Sequence, residues 1–144
     1  MNKTYSYDDI LLVPQYSDIR SRSEIDISAD LGKGVTLQLP IFASPMDTIS
    51  ESAMAGAMGK VGASAIIHRY NTIQEQMSEI NKVNSPRIVG AAIGISGDYL
   101  ERASALVNYG ADFLCVDVAH GHHIMMKEAL YELRKLFGDD YHLM

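Results

Sequence analysis

The chain has 144 residues, 47% of them hydrophobic and 21% charged, with a net charge of −6. That suits one globular domain large enough to bury a core, and the acidic balance excludes a general affinity for the phosphate backbone of nucleic acids. No apolar run approaches the roughly 18 to 20 residues a membrane helix needs, the start "MNKTYSYDDI" is too polar for a signal peptide, and one cysteine allows no internal disulfide; the expectation is a cytoplasmic protein with no membrane or nucleic-acid partner.

Residues 1–40 carry short β-like pieces, a break at Pro14 and a "DLGKG" turn, which predicts an irregular N-terminal arm packed against the body of the domain or on a neighbour. From residue 41 short apolar runs alternate with helical patterns. The first run, Ile41 to Met46, precedes a helix from about Ser50 to Lys60 with Ala53, Met54, Ala57, Met58 and Val61 on one face and Gly62 behind it. The second, Ala63 to His68, leads into a helix opened by Thr72 with Glu75 at capping-box spacing and Ile73, Met77 and Ile80 inward; Ser85-Pro86 stops it. The third, Ile88 to Gly94, ends in the loop Ser96-Gly97-Asp98, where Asp98 and Glu101 can cap a helix bearing Leu100, Ala103, Leu106 and Val107, with Gly110 past its end. The fourth, Phe113 to Val118, precedes a helix with Met126, Ala129, Leu130, Leu133, Leu136 and Phe137 inward and Gly138 behind it, and Tyr141 to Met144 opens a fifth strand.

The runs recur every 23 or 24 residues, close to the minimum for a strand, a loop, a helix and a loop. Near-continuous apolar strands joined by helices mean an α/β protein with a parallel sheet. Two architectures share that unit, a doubly wound open sheet and the first part of a (β/α)8 barrel. Length alone favours the open sheet, since a whole barrel takes about 250 residues.

In either architecture ligands bind at the C-terminal ends of the strands, which selects Ser44, Met46 and Asp47, then His68 and Arg69, then Gly94 to Gly97, then Asp117 to His123. Asp47 reads equally as a helix cap, and His68 as a satisfied core histidine. The loop Gly94-Ile95-Ser96-Gly97 resembles a phosphate cradle without the full glycine spacing. His120, His122 and His123 have no second cluster to complete a zinc site, so no metal is assigned. Cys115 shares a strand face with Asp117 and reads as strand packing rather than a nucleophile. Asp117 is costly to bury at the end of an apolar strand unless it binds something, and a ribose hydroxyl is a common partner.

Four collinear segments, "YSYDDILLVPQYSDIRSRSEID", "PIFASPMDTISESAMAGAMGKVGASAIIHR", "VGAAIGISGDYLERASALVNYGAD" and "CVDVAHGH", resemble the IMP dehydrogenase and GMP reductase family over nearly the whole chain. The resemblance implies the N-terminal half of a (β/α)8 TIM barrel, 1–40 an arm and 41–144 the first four β/α units with the start of strand five, in an enzyme that is usually a homotetramer. It implies chemistry through a covalent bond between a cysteine and C2 of the purine, with a nicotinamide cofactor exchanging hydride. The family nucleophile lies in a Gly-Ser-x-Cys-x-Thr loop that does not occur here, so the expectation is a fragment or one part of a split enzyme, inactive alone and lacking its C-terminal half. The resemblance leaves room for a potassium ion in the complete enzyme, with ligands outside this chain.

By the same resemblance Asp117, Val118 and Ala119 line the nicotinamide-ribose site, with His120 beside them. Ser21 and Arg22 lie on an arm that in reductases reaches the cofactor of a neighbouring subunit, where an arginine suits a 2′-phosphate. Tyr70 stands at a cofactor-contacting position, Arg69 where the family commonly has a lysine implicated in reductase chemistry, and Ser44 and Met46 on the purine-nucleotide side. Direct passage through "NKVNSPRIVGAAIG" without a regulatory insert, and the "SRSEID" segment, favour a GMP reductase using NADP; "SPMDT" and "VGAAIG" favour an IMP dehydrogenase using NAD. A non-catalytic nucleotide-binding half-barrel is the alternative from a different class.

Overall fold

The computed structural model describes residues 2–84 and 88–144. Residues 2–27 are exposed throughout, with single helical turns at Tyr7–Asp9 and Arg22–Glu24, and Tyr7, Leu11, Leu12 and Tyr16 are each more than 90% accessible. This stretch does not pack against the sheet, so the first of its two expected placements is not realised within the chain. Residues 29–37 do: β1 (Ala29–Asp30) and β2 (Thr36–Leu37) form an antiparallel hairpin, and its turn at Gly32, Lys33 and Gly34 runs at positive φ. Glycine tolerates that region, which is why "GKG" can turn so tightly.

The remaining elements are β3 (Phe42–Ala43), α1 (Ser52–Lys60), β4 (Ser64–Ile67), α2 (Ile73–Lys82), β5 (Val89–Ile93), α3 (Tyr99–Asn108), β6 (Phe113–Val116), α4 (Ile124–Phe137) and β7 (His142–Leu143). The five strands β3 to β7 pair in parallel and in sequence order. A doubly wound sheet reverses its strand order at a switch point and places helices on both faces, whereas this one does neither. Ala65, Ile67, Val89, Ala91, Ile93, Leu114 and Val116 face one core with residues of all four helices. The alternate positions Phe42, Ile66, Ala92, Phe113 and Cys115 form a second cluster with Ile88 and with Leu31 and Val35 of the hairpin. A parallel sheet wound one way with helices on one face is the wall of a β/α barrel, so this chain is an α/β half-barrel and the length argument for an open sheet fails.

On the inner face Phe113 is fully buried, edge-on to Phe42 and His142 with ring centroids 5.5 and 5.9 Å away. Gly90 lies opposite it in register, and a Cβ there would stand 2.2 Å from the Phe113 ring. The glycine is the space the phenyl ring occupies.

Several expectations need correcting. In the first run only Phe42 and Ala43 pair as strand, and α1 begins at Ser52 because residues 44–51 form an irregular loop around the fully buried Ser50. Ala55 is the buried residue of α1, while Ala53, Ala57 and Val61 are exposed: a helix of alanine, glycine and methionine on the first strand has little apolar contrast to orient it. In α2 the Thr72 capping box is present and Ile80 is buried, but Gln76 is buried beside it. Leu136 of α4 is half exposed. Asp98 stands at the N-cap of α3 without a capping bond, its carboxylate being held by Arg102. The expected stop at Ser85-Pro86 lies outside the described residues.

Candidate functional site

Residues just beyond three adjacent strands converge. Asp117 N–H donates to the Ile93 carbonyl (2.9 Å), which carries the β5–β6 ladder one step past β6 and sets its carboxylate beside the end of β5. Arg69, two residues past the end of β4, reaches across: its Nη2 donates to the Asp117 carbonyl at 3.2 Å and its Nε lies 3.6 Å from Asp117 Oδ2. The path passes over Gly94, where a Cβ would meet only the Arg69 guanidinium. Arg69, Gly94, Ile95, Ser96, Asp98, Arg102 and Val118 line a small cleft of about 140 Å³.

This geometry suits diol recognition. The Asp117 side chain is 31% exposed, and the Arg69 contact is a charge pairing longer than a hydrogen bond. Its carboxylate oxygens accept no hydrogen bond among the described residues, which leaves lone pairs for ribose hydroxyls. Arg69 Nε is buried and makes no hydrogen bond, only the longer charge pairing with Asp117. A carboxylate with unclaimed lone pairs at this position fits a ribose diol.

The floor of the cleft is polar and built. Buried Gln76 donates through Nε2 to the carbonyls of Ile67 (3.2 Å) and Ala92 (2.9 Å) near the ends of β4 and β5, and its Oε1 accepts from Arg102 Nη1 at 2.8 Å. Arg102 Nη2 also donates to the Asn71 carbonyl and to Asp98 Oδ2. Neither Gln76 nor Arg102 was singled out from the sequence. The available signal was a polar side chain on an otherwise apolar helical stripe, Gln76 between Ile73 and Ile80.

Other expected residues distribute unevenly. Tyr70 is exposed beside Arg69, whose Cζ lies 5.5 Å from the ring centroid. Ser44 and Met46 are exposed in the 44–51 loop, where Met46 N–H donates to the Ser44 carbonyl. Asp47 does not cap α1; its carboxylate lies 3.9 Å from His68 Nε2. His68 is 2% exposed and fully partnered. Val118 lines the cleft, and Ala119 and His120 are exposed just beyond it. Ser21 and Arg22 are not brought to the cleft: the Ser21 hydroxyl caps its own turn, accepting from Ser23 N–H. His123 caps α4, its Nδ1 accepting from Met125 N–H. Among the described residues no group of three His, Cys, Asp or Glu is placed to hold a metal ion, and no helix is long and apolar enough to cross a membrane.

Cys115 sits one step below Asp117 on the inner face. Burial pushes its thiol up to about 11, and the Asp117 charge adds to the effect. A nucleophile needs the opposite shift, so strand packing is its role.

Strand order, helices on one face and a polar cluster at the C-terminal ends together define a β/α-barrel protein with its site where such barrels carry one. The sequence model of the IMP dehydrogenase / GMP reductase domain matches residues 4–143, and the chain belongs to that family. Among curated relatives, an inosine-5′-monophosphate dehydrogenase of Cryptosporidium parvum is 30% identical over 97% of this chain and 45% of its own length. One of Nitrosopumilus maritimus is 50% identical over 54% of this chain and 16% of its own, and a GMP reductase of Leishmania donovani 42% identical over the same shares. The chain thus spans less than half the length of the relatives it matches.

Proposed function

We propose that the strand-end cluster is one wall of a purine-nucleotide oxidoreductase site, taking GMP or IMP together with a nicotinamide cofactor. The observation that carries this is Asp117, a carboxylate at the tip of an apolar strand with its lone pairs unclaimed and an arginine fixing its backbone. When bound, the nicotinamide supplies hydride exchange at the purine. Asp117 would hold the ribose diol, Val118 and Ala119 shape the adjacent wall, and His120 and Tyr70 flank it. Ser44 and Met46 would face the nucleotide. Arg69 orients Asp117; a guanidinium keeps its proton near neutral pH, so the proton-transfer role that lysine could serve does not pass to it.

The finer reading is NADPH-dependent reductive deamination of GMP to IMP. Arg22 supports it, a cation suited to a 2′-phosphate on an arm exposed enough to reach another subunit, and so does the similarity to the Leishmania GMP reductase. Oxidation of IMP with NAD is the second reading, favoured by the dehydrogenase names of the Nitrosopumilus and Cryptosporidium relatives. A cytoplasmic homotetramer completed by a C-terminal half-barrel, which would bring the nucleophilic cysteine and any potassium site, belongs to the same proposal.

Titration of the chain with NADPH, NAD, GMP and IMP tests it. Asp117→Ala should weaken cofactor binding about tenfold or more, the loss of a charged hydrogen-bond acceptor, and Arg22→Ala should remove only a preference for NADPH. No binding of any of the four would sink the proposal. With the second half of a barrel supplied, NADPH oxidation with GMP and release of ammonia is expected; NAD reduction with IMP instead would replace the reductase reading by the dehydrogenase one.

A further inference from the structure

The loop 44–51 presents Ser44 and Met46 yet has almost no regular structure, and Thr48 within it sits at φ 60°. A β-branched residue in the left-handed region is strained and persists only where its surroundings over-determine it. The surroundings are specific. Ile49 and Ser50 N–H both donate to the Met46 carbonyl, and the buried Ser50 hydroxyl donates to the Ser44 carbonyl. The Ser50 carbonyl accepts from His68 N–H at 3.2 Å, which ties the loop to the end of β4.

The His68 side chain completes the tie. Its Nδ1 accepts from Tyr70 N–H at 3.2 Å, so the ring proton is on Nε2. Nε2 faces Glu51 Oε1 at 3.3 Å and Asp47 Oδ1 at 3.9 Å, two carboxylates that bracket the strained Thr48. The ring stacks on Tyr70 with centroids 6.2 Å apart. One buried imidazole therefore joins the loop bearing Ser44 and Met46 to the strand end bearing Arg69 and Tyr70.

We propose that His68 is a positioning residue: through Ser50, Glu51 and Tyr70 it fixes the 44–51 loop and the Arg69–Tyr70 strand end relative to each other, and it acts on the nucleotide only through them. The last clause rests on the assignment of Ser44 and Met46 to the nucleotide side. The experiment is residue-resolved amide exchange and ring ¹⁵N shifts on the whole chain. Wild-type shifts should show a protonated Nε2 and an Nδ1 lone pair; a protonated Nδ1 overturns the proposal. His68→Phe keeps the ring volume and should speed exchange at Ile49, Ser50 and Tyr70 about tenfold relative to the Ile93 and Leu133 amides, as expected for loss of local ties. Uniform acceleration, or none, overturns it. Should His68→Phe fail to fold, Glu51→Ala and Glu51→Gln decide. Gln keeps the acceptor and should leave exchange unchanged, while Ala should loosen Ile49 and Ser50; equal behaviour of the two overturns the proposal. Titration of the same proteins with GMP and IMP judges the nucleotide assignment separately: if the wild type binds neither, that assignment fails while the exchange data still decide the positioning role.

Discussion

Replacing Gln76 by leucine keeps the volume of a buried side chain and removes every polar contact it makes. Three partners are affected. The carbonyls of Ile67 and Ala92 each lose a donor, at 3.2 and 2.9 Å, and buried Arg102 Nη1 loses its acceptor at 2.8 Å. A carbonyl oxygen has a second lone pair for the ladder, so each of these losses costs about 1 kcal/mol; a buried guanidinium deprived of a partner costs about 2. Gln76→Leu should therefore lose about 4 kcal/mol in urea unfolding followed by circular dichroism, or roughly 8 to 16 °C in Tm for a chain of this size. Arg102→Met alone should cost less, since Asp98 and the Asn71 carbonyl can turn to water. Combined, the two changes should cost less than their sum, because the shared bond is lost only once. A loss within about 1 kcal/mol of wild type for Gln76→Leu, or strict additivity of the pair, would refute the claim that this network is the floor of the site.

Three further outcomes are expected. Burial alone would raise the Glu79 carboxyl, but Lys82 and the Ser52 N–H that it caps overcome that and bring it down to about 2. Its contribution is full above the unfolded value near 4.5 and is lost as pH falls from there toward 2; the wild-type minus Glu79→Gln stability difference should shrink across that window by up to about 3 kcal/mol, measured by urea unfolding at each pH. Gly90→Ala drives a Cβ into the Phe113 ring and should cost about 3 kcal/mol, with Phe113→Leu in the same chain recovering part of it; a neutral Gly90→Ala would contradict the inner-face packing. With its thiol raised to about 11, Cys115 should react with a disulfide reagent at pH 7.5 at least tenfold more slowly than a free thiol near 8.5.

The repeat of 23 to 24 residues made four strands and four helices legible, because each unit must bury one stripe and alternate period with it. It could not separate an open sheet from a barrel, since both use the same unit. What separates them is the side of the sheet to which each helix returns, a property of strand pairing that no local pattern encodes; here it took the collinear family resemblance or the observed order β3 to β7. The same blindness explains the buried polar residues. Gln76 and Arg102 read as interruptions of apolar stripes, and only when α2 and α3 pack side by side does each become the other's partner. Thr48 was invisible for a different reason: threonine disfavours positive φ, so only the surrounding ties hold it there.

The legible and illegible parts of the site divide along the same physical line. Arg69, Gly94 and Asp117 lie one or two residues past the ends of three neighbouring strands, and a parallel sheet in register brings such residues together without further instruction. Their convergence therefore follows from knowing where each apolar run ends. Ser21 and Arg22 obey no such rule. They sit on a stretch exposed from residue 2 to 27, with Tyr7, Leu11, Leu12 and Tyr16 in water and no strand end to fix it. Exposed apolar patches of this size mark interaction surfaces, so the arm's geometry is not dictated by the sheet. Asp117 is thus placed by the folding of this chain's own sheet, whereas nothing in the sheet places Arg22.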